Sequence, residues 1–310
     1  MRTGVLLMTY GAPQDEADLT RYLAAVRGGR EPDAELVREM ARRYAVIGGS
    51  PLIARTQAQA AALERELGAG YLVSAGMRFS DPSIDAAALD LLARGATRLA
   101  GIVLSPQWSP TLMGGYERAL RSAGASCELP VALAGAWHRE PLFIDALAAL
   151  VGEALRDMPE AMVLLTAHSL PRRVFDAEPD YIAQLRATGE LVARAAGLAS
   201  ERWRWAYQSA GHTQEEWLRP DLMELFPEIA ASGARDVVVA PVQFLSDHLE
   251  VLYDLDVAAA QQAAAAGLRY HRIRMPNTDP RFIRALAAVA RAAETPLLDA
   301  VRAGARDVRG

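Results

Sequence analysis

A histidine and several carboxylates at the ends of predicted elements are the residues of this sequence that could bind a metal or move protons. His168 directly follows the apolar run 162–167. An imidazole at the end of a buried strand can ligate a metal or exchange a proton near neutral pH. A hydrogen-bonded structural histidine is the alternative, and position alone favours neither interpretation.

The second candidate lies in the segment 246–254, which reads Ser-Asp-His-Leu-Glu-Val-Leu-Tyr-Asp. If this segment begins a helix, Asp247, Glu250 and Asp254 fall at i, i+3 and i+7 and share one face. Neighbouring carboxylates repel one another, so such a row favours a bound cation or a solvated surface. The segment follows a predicted buried strand, where ligand sites are expected, and both interpretations stay open. His248 is interpreted as a residue that orients its neighbours.

A basic cluster lies near the N-terminus, in the stretches 27–30 (Arg-Gly-Gly-Arg) and 42–51, which contains Arg-Arg-Tyr and ends in Gly-Gly-Ser-Pro. Arginine side chains bind carboxylates in a bidentate way, and glycines let backbone N–H groups approach an anion. The spacing is not that of a P-loop, and no G-x-G-x-x-G follows a strand. The cluster therefore favours an acidic ligand over a nucleotide, with a turn flanked by surface arginines as the alternative.

Short apolar runs that alternate with amphipathic segments must position these residues. The strands are predicted at 5–8, 71–75, 99–104, 131–134, 162–166, 204–207 and 237–240. Their apolar character is typical of strands buried on both faces. Helices are predicted to begin after Asp33, at Pro141 and at Pro280. The alternation predicts an α/β fold with parallel sheets covered by helices.

A faint internal repeat indicates how the chain is organised. The apolar triplet 5–7 precedes Tyr10, and the triplet 163–165 precedes His168 at the same spacing. This repeat predicts two similar open α/β domains, 1–150 and 151–310. In such sheets ligands bind at the carboxyl ends of the strands, so Tyr10 and His168 could face each other across a cleft.

Composition excludes several classes of protein. The chain of 310 residues has a net charge of -5 and one cysteine, Cys127. Nucleic-acid binding is disfavoured because that charge provides no overall basic character. One cysteine excludes an internal disulfide and a multi-cysteine metal site. No apolar run is long enough to span a membrane and no signal peptide is visible, so a cytoplasmic location is predicted.

Seven motifs, in the same order along the chain, resemble those of ferrochelatases. They lie at 7–13, 22–32, 43–52, 76–79, 167–171, 207–209 with 217–220, and 244–253. The resemblance implies two flavodoxin-like (Rossmann-like) domains of the chelatase fold around a porphyrin cleft. It assigns the propionate side of the cleft to 1–150 and the metal-insertion residues to 151–310. The last helix is expected to pack back on the N-terminal domain.

The resemblance also implies roles for individual residues. His168 and Glu250 correspond to the catalytic, metal-handling pair, and Asp254 is a further candidate metal ligand on the acidic helix. The residues implied in porphyrin binding are Tyr10, Arg27, Arg43, Tyr44 and Ser50.

Three features of the sequence bear on the place of this chain among the proteins it resembles. The motif at 48–51, Gly-Gly-Ser-Pro, is one residue shorter than usual, and Ala258 replaces an outer carboxylate. Thr9-Tyr10-Gly11 resembles members that act on coproporphyrin III, whereas members that act on protoporphyrin IX more often have Asn-Leu-Gly or Asn-Met-Gly there.

The implied function is insertion of Fe²⁺ into a porphyrin in haem biosynthesis, with release of two protons and coproporphyrin III favoured. Iron is a substrate, and no prosthetic group is expected, because a [2Fe–2S] cluster would need four cysteines. Porphyrin and ferrous iron are the expected partners, with transient contacts to neighbouring haem-pathway enzymes. Two alternatives stay open: a cobalt- or nickel-inserting tetrapyrrole chelatase of the same fold, and a non-enzymatic porphyrin or haem carrier.

Overall fold

The computed structural model describes residues 2–211 and 215–307, without the side chains of residues 298–307. All the strands predicted from sequence are present, and one more follows them. The strands are β1 (Thr3–Thr9), β2 (Tyr71–Met77), β3 (Arg98–Val103), β4 (Val131–Leu133), β5 (Met162–His168), β6 (Trp203–Gln208), β7 (Asp236–Pro241) and β8 (Arg269–Arg272).

Helices cover both faces of the sheets that these strands form. They are α1 (Leu19–Val26), α2 (Ala34–Val46), α3 (Leu52–Leu67), α4 (Ile84–Ala93), α5 (Pro110–Ser126), α6 (Pro141–Asp157), α7 (Arg172–Ala177), α8 (Pro179–Ala195), α9 (Leu222–Ala231), α10 (Ala260–Ala265) and α11 (Pro280–Asp307). A π-helix, Glu250–Ala259, runs directly into α10. None of the helices in the described part of the chain combines the length and apolarity needed to cross a bilayer.

Two parallel four-stranded sheets with the same strand order account for the internal repeat. The first sheet has the order β2-β1-β3-β4 and the second has the order β6-β5-β7-β8. In the first, Val5 pairs with both Val73 and Ala100. The repeated order confirms the predicted α/β class with two flavodoxin-like sheets, because each sheet needs the same β–α–β connections.

The helix boundaries follow their local signals. The Asp33 side chain accepts a hydrogen bond of 2.8 Å from the backbone N–H of Leu36, which caps α2. Pro141 and Pro280 are the first residues of α6 and α11, where a missing N–H costs no hydrogen bond.

Strand β8 is the one that the sequence analysis missed. Its residues, Arg-Tyr-His-Arg, are exposed or half-buried, because β8 pairs only with β7 at the edge of the second sheet. An edge strand of four residues with three polar side chains lacks the apolar run by which the other strands were found.

The largest apolar cluster runs through both halves of the chain. It contains Val5 and Leu7 of β1, Val163 and Leu165 of β5, and Leu286 of α11. Helix α11 packs against α6, α3, β3 and β4. Position 150, where the sequence analysis divides the chain, lies inside α6, and the division itself remains a prediction.

Candidate active site

A cleft of about 560 Å³ opens at the carboxyl ends of the two sheets. Residues that follow β1, β3, β5 and β7 line it, as expected for ligand sites in open α/β folds. Its size is within the range of small-molecule sites. Of the predicted site residues, Tyr10, Tyr44, Ser50, His168 and Glu250 line this cleft.

His168 and Glu250 meet on the wall that the second half of the chain provides. His168 Nε2 lies 3.7 Å from Glu250 Oε1. His168 Nδ1 is hydrogen-bonded to the Ser169 carbonyl, which can only accept, so Nδ1 carries the hydrogen. In the neutral ring this leaves the Nε2 lone pair facing Glu250 and the cleft.

Backbone and side-chain hydrogen bonds hold His168 in this orientation. Its own backbone N–H donates to Gln243 Oε1 at 2.8 Å, and Gln243 Nε2 donates to the Tyr181 hydroxyl at 2.8 Å. The Ser169 hydroxyl, which is fully buried, donates to the Leu218 carbonyl at 2.9 Å. The imidazole is therefore fixed by the loop between β5 and α7 and by the residues that follow β7.

His248 contacts the other oxygen of Glu250 and was not predicted as a site residue. Its Nε2 lies 3.6 Å from Glu250 Oε2, and its Nδ1 lies 2.9 Å from the Ser246 carbonyl. Its ring packs edge-on against Phe244 with the centroids 4.5 Å apart. One residue, Leu249, separates His248 from Glu250, and this i, i+2 spacing would place them apart on an α-helix. They meet here because His248 precedes the π-helix.

The carboxylate of Glu250 is ionised at neutral pH. Burial by surrounding protein atoms favours the neutral acid, but the facing imidazoles of His168 and His248 outweigh it and hold the pKa of Glu250 at about 2. Burial lowers the pKa of His248, yet its interaction with the Glu250 carboxylate leaves that pKa above the usual value. The Glu250 side chain is 40% exposed, and it faces the open cleft.

The predicted row of three carboxylates does not form. Asp247 precedes the π-helix, and its carboxylate turns away to Asn277 Nδ2 at 2.8 Å and to Arg272 at 3.7 Å. Asp254, inside the π-helix, lies 3.5 Å from Arg43, and burial raises the pKa of Asp254. The π-helix hydrogen bonds run from i to i+5, so the α-helical spacing assumed for the row does not apply.

Tyr10 belongs to the opposite wall, which the first half of the chain provides. Its side chain is 41% exposed, and its ring packs edge-on against Phe79 with the centroids 4.7 Å apart. Burial raises the pKa of the Tyr10 hydroxyl, so the phenol is neutral at physiological pH.

Two of the predicted porphyrin-binding arginines lie outside the lining of the cleft. Arg27 is exposed directly after α1, next to Val26, which does line the cleft. Arg43 is half-buried, pairs with Asp254 and Glu39, and stacks 5.0 Å from the Tyr253 ring centroid. Both arginines lie at the rim of the cleft, next to the lining residues Val26 and Tyr44, and the charge of Arg43 is balanced by Glu39 and Asp254.

Arg78, which belongs to the motif at 76–79, also lines the cleft and was not predicted as a site residue. Its guanidinium lies 4.8 Å from the Phe79 ring centroid and 5.3 Å from that of Tyr116. Its position directly after β2 is the signal that could have identified it. Ligand sites in such folds lie at the carboxyl ends of strands, where His168 of β5 also lies.

Within the described part of the chain, no group of three or more His, Cys, Asp or Glu residues is arranged to hold a metal ion. The roles predicted for His168, Glu250 and Asp254 as metal ligands remain predictions.

The strand order and the cleft define a protein of the chelatase fold. A solved structure of SirB from Bacillus subtilis with Fe³⁺ aligns with 96% of this chain and 98% of its own, with a TM-score of 0.57 and 13% identity. CbiX, titled the terminal enzyme for biosynthesis of siroheme in denitrifying bacteria, aligns over 94% and 99% with a TM-score of 0.55 and 16% identity. At these identities the likeness concerns the fold alone.

Sequence comparisons narrow the class to one family. The ferrochelatase family model matches residues 2–294. A ferrochelatase of Deinococcus radiodurans is 38% identical over 92% of this chain and 94% of its own length. A coproporphyrin III ferrochelatase of Geobacillus thermodenitrificans is 37% identical over 92% and 94%. The chain belongs to the ferrochelatase family, the enzymes that insert iron into a porphyrin.

Proposed function

We propose that this enzyme inserts Fe²⁺ into coproporphyrin III in haem biosynthesis, with His168 and Glu250 as the catalytic pair. The observation that carries the proposal is the 3.7 Å approach of His168 Nε2 to Glu250 Oε1 on one wall of the cleft, opposite Tyr10. In the reaction, two pyrrole N–H bonds break, two protons leave, and the ring nitrogens bind the iron without a change in its oxidation state.

The porphyrin lies between the two walls. His168 and Glu250 contact one face of the ring near its centre, and the neutral phenol of Tyr10 contacts the other. Tyr44 and Ser50, which line the cleft, receive the propionate side, and Arg27 and Arg43 supply positive charge at that rim. Cleft walls that favour a non-planar ring would lower the barrier to insertion by binding the distorted form best.

The charges of the pair support a division of labour between its members. Glu250, with a pKa of about 2, keeps its negative charge and attracts Fe²⁺. Imidazole and carboxylate ligands can release ferrous iron to the ring, whereas thiolate ligands hold soft or borderline metals more firmly. When its Nε2 is unprotonated, His168 can accept a pyrrole proton there, and His248 can hold a proton on the far side of Glu250.

Two further observations support coproporphyrin III as the substrate. Several relatives at 35–37% identity are coproporphyrin III ferrochelatases, including the Bacillus subtilis enzyme at 35%. Thr9-Tyr10-Gly11 resembles the corresponding residues of such enzymes. The cytoplasmic location and the transient contacts with neighbouring haem-pathway enzymes remain predictions.

The test is anaerobic turnover with each porphyrin. Purified protein is mixed with Fe²⁺ and either coproporphyrin III or protoporphyrin IX, and the change in porphyrin absorption is followed. We expect a higher kcat/KM with coproporphyrin III. A higher kcat/KM with protoporphyrin IX would overturn the substrate assignment.

The same experiment separates the two alternatives. Parallel reactions with Co²⁺ and Ni²⁺ identify a chelatase of different metal use if those ions are inserted and Fe²⁺ is not. Tight porphyrin binding without insertion of any metal would identify a carrier. The family membership of the chain supports iron insertion over both.

A further inference from the structure

Arg78 is a charged side chain inside the cleft that the catalytic pair does not use. It directly follows β2 and lines the cleft together with Leu112, Met113 and Tyr116 of α5. The wall that these residues form is called the α5 wall. Arg27, directly after α1, and Arg43, on α2, come from other elements and are not part of the cleft lining.

The guanidinium of Arg78 is held in place by several contacts. The rings of Phe79 and Tyr116 lie within stacking distance, and Nη1 donates to the Leu112 carbonyl at 3.3 Å. Gly115 provides the space, because a Cβ atom there would lie 2.1 Å from Arg78 Nη2. Any other residue at 115 would displace the guanidinium, so the position of Arg78 depends on α5 having glycine there.

Among the described residues, several hydrogen-bond donors of Arg78 have no acceptor. A guanidinium has five N–H donors, and its side chain makes a single hydrogen bond to the residues that the structure describes. No carboxylate pairs with Arg78 within the described part of the chain, whereas Arg43 has two such partners. A positive charge among apolar cleft residues is stabilised when an anion with matching geometry binds it.

We propose that Arg78 binds a porphyrin carboxylate on the α5 wall and thereby selects coproporphyrin III over protoporphyrin IX. This inference rests on the proposed function. Coproporphyrin III carries a propionate on every pyrrole ring, so carboxylates point to both the Arg27–Arg43 rim and the α5 wall. The two propionates of protoporphyrin IX are on adjacent pyrrole rings, so when they occupy the rim, vinyl groups face Arg78.

The test compares equilibrium binding of the two porphyrins in the absence of iron, followed by porphyrin fluorescence. The proteins are the wild type, Arg78→Met and Arg78→Lys. We expect Arg78→Met to weaken coproporphyrin III binding at least about tenfold, since it removes a charge-assisted bidentate contact. Protoporphyrin IX binding should change less than about threefold.

Arg121→Met is the control, because Arg121 lies on α5, the helix of the α5 wall, but is exposed and, among the described residues, pairs only with Glu117. It should leave the binding of both porphyrins unchanged. Arg78→Lys keeps the positive charge and the cation–π contacts but loses the planar guanidinium that forms two parallel hydrogen bonds. It should weaken the binding of coproporphyrin III by about threefold to tenfold and leave the binding of protoporphyrin IX unchanged. This variant decides the question if Arg78→Met does not fold.

Equal weakening of both porphyrins, or unchanged coproporphyrin III binding in folded variants, would overturn the role of Arg78. A wild-type protein that binds both porphyrins and inserts no iron would instead contradict the proposed function, while the selectivity of Arg78 could still be measured. A wild type that binds neither porphyrin would overturn both.

Discussion

The Glu250 carboxylate is held between two imidazoles, with His168 facing one oxygen and His248 the other. Because Nδ1 of each ring is near a backbone carbonyl, each Nε2 is directed at Glu250. The sequence indicated His168 and Glu250 as site residues. The contact of His248 with Glu250 could not be predicted, because it depends on the backbone turn before the π-helix.

His248→Gln tests this electrostatic coupling through stability. The depressed pKa of Glu250 adds stability above pH 4.5 that is lost as the pH falls towards about 2. The raised pKa of His248 adds stability below pH 6.5 that is lost as the pH rises through its folded-state pKa. We therefore expect the free energy of unfolding of the wild type to exceed that of His248→Gln most near about pH 5 to 6. The difference should be on the order of 1 kcal/mol, because solvent in the open cleft screens the pair.

Urea unfolding at about pH 5.5 and pH 9 gives the two free energies of unfolding for each protein. His271→Gln, which removes a histidine of β8 that does not line the cleft, serves as the control for the loss of a histidine. A difference between wild type and His248→Gln that is constant with pH, or larger at pH 9, would contradict the coupling.

At the scale of elements, one glutamine of the first half of the chain holds the segment that leads into the π-helix. Gln59 of α3 is fully buried. Its Nε2 lies 2.9 Å from both Ser246 Oγ and the Asn277 carbonyl, and 3.3 Å from the Leu245 carbonyl. The segment that Gln59 fixes leads into His248 and Glu250, so this wall of the cleft is positioned partly by a residue of the first half of the chain.

Gln59→Ala should lower the free energy of unfolding by about 1–3 kcal/mol, because buried acceptors lose their donor. It should also reduce kcat several-fold with little change in KM, because the variant misplaces Glu250 without touching the porphyrin rim. Gln57→Ala on the exposed face of α3 is the control. Steady-state kinetics and chemical denaturation check both effects, and unchanged kcat in a destabilised variant would limit Gln59 to a structural role.

The elements also show what sequence patterns can and cannot predict. Strands β1, β3, β5 and β7 are apolar because both faces are covered, so their positions could be predicted. The edge strand β8 and the π-helix could not. The π-helix has the residue types of an amphipathic α-helix but a different periodicity. The prediction that Asp247, Glu250 and Asp254 share one face of an α-helix was therefore wrong. Which side chains face each other depends on that periodicity.

At the scale of the whole molecule, a buried ion pair joins the last helix to the first sheet. Arg98 Nη2 of β3 lies 2.6 Å from Glu294 Oε1 of α11, with the two side chains 9% and 8% exposed. The Tyr71 hydroxyl donates to Glu294 Oε2 at 2.6 Å, and Thr3 also donates to Glu294. One carboxylate of the C-terminal helix thus contacts three strands of the N-terminal sheet.

Glu294→Gln should destabilise the protein by about 3 kcal/mol, because the Arg98 charge then stays buried without its counter-ion. The double variant Arg98→Met, Glu294→Met removes both charges. It should lower the free energy of unfolding by less than either Arg98→Met or Glu294→Met alone. Guanidinium denaturation of the two single methionine variants and the double variant measures this coupling. Additive costs would show that the ion pair does not link helix and sheet.

The central claim is that His168 and Glu250 together perform iron insertion in one cleft. The direct measurement is the anaerobic single-turnover rate of Fe²⁺ insertion into bound porphyrin for His168→Ala and Glu250→Gln, with His271→Gln as the control. Each catalytic variant should lose at least about a hundredfold in rate while it stays folded and binds porphyrin within about threefold of the wild type. A near-normal insertion rate in either folded variant would contradict the account.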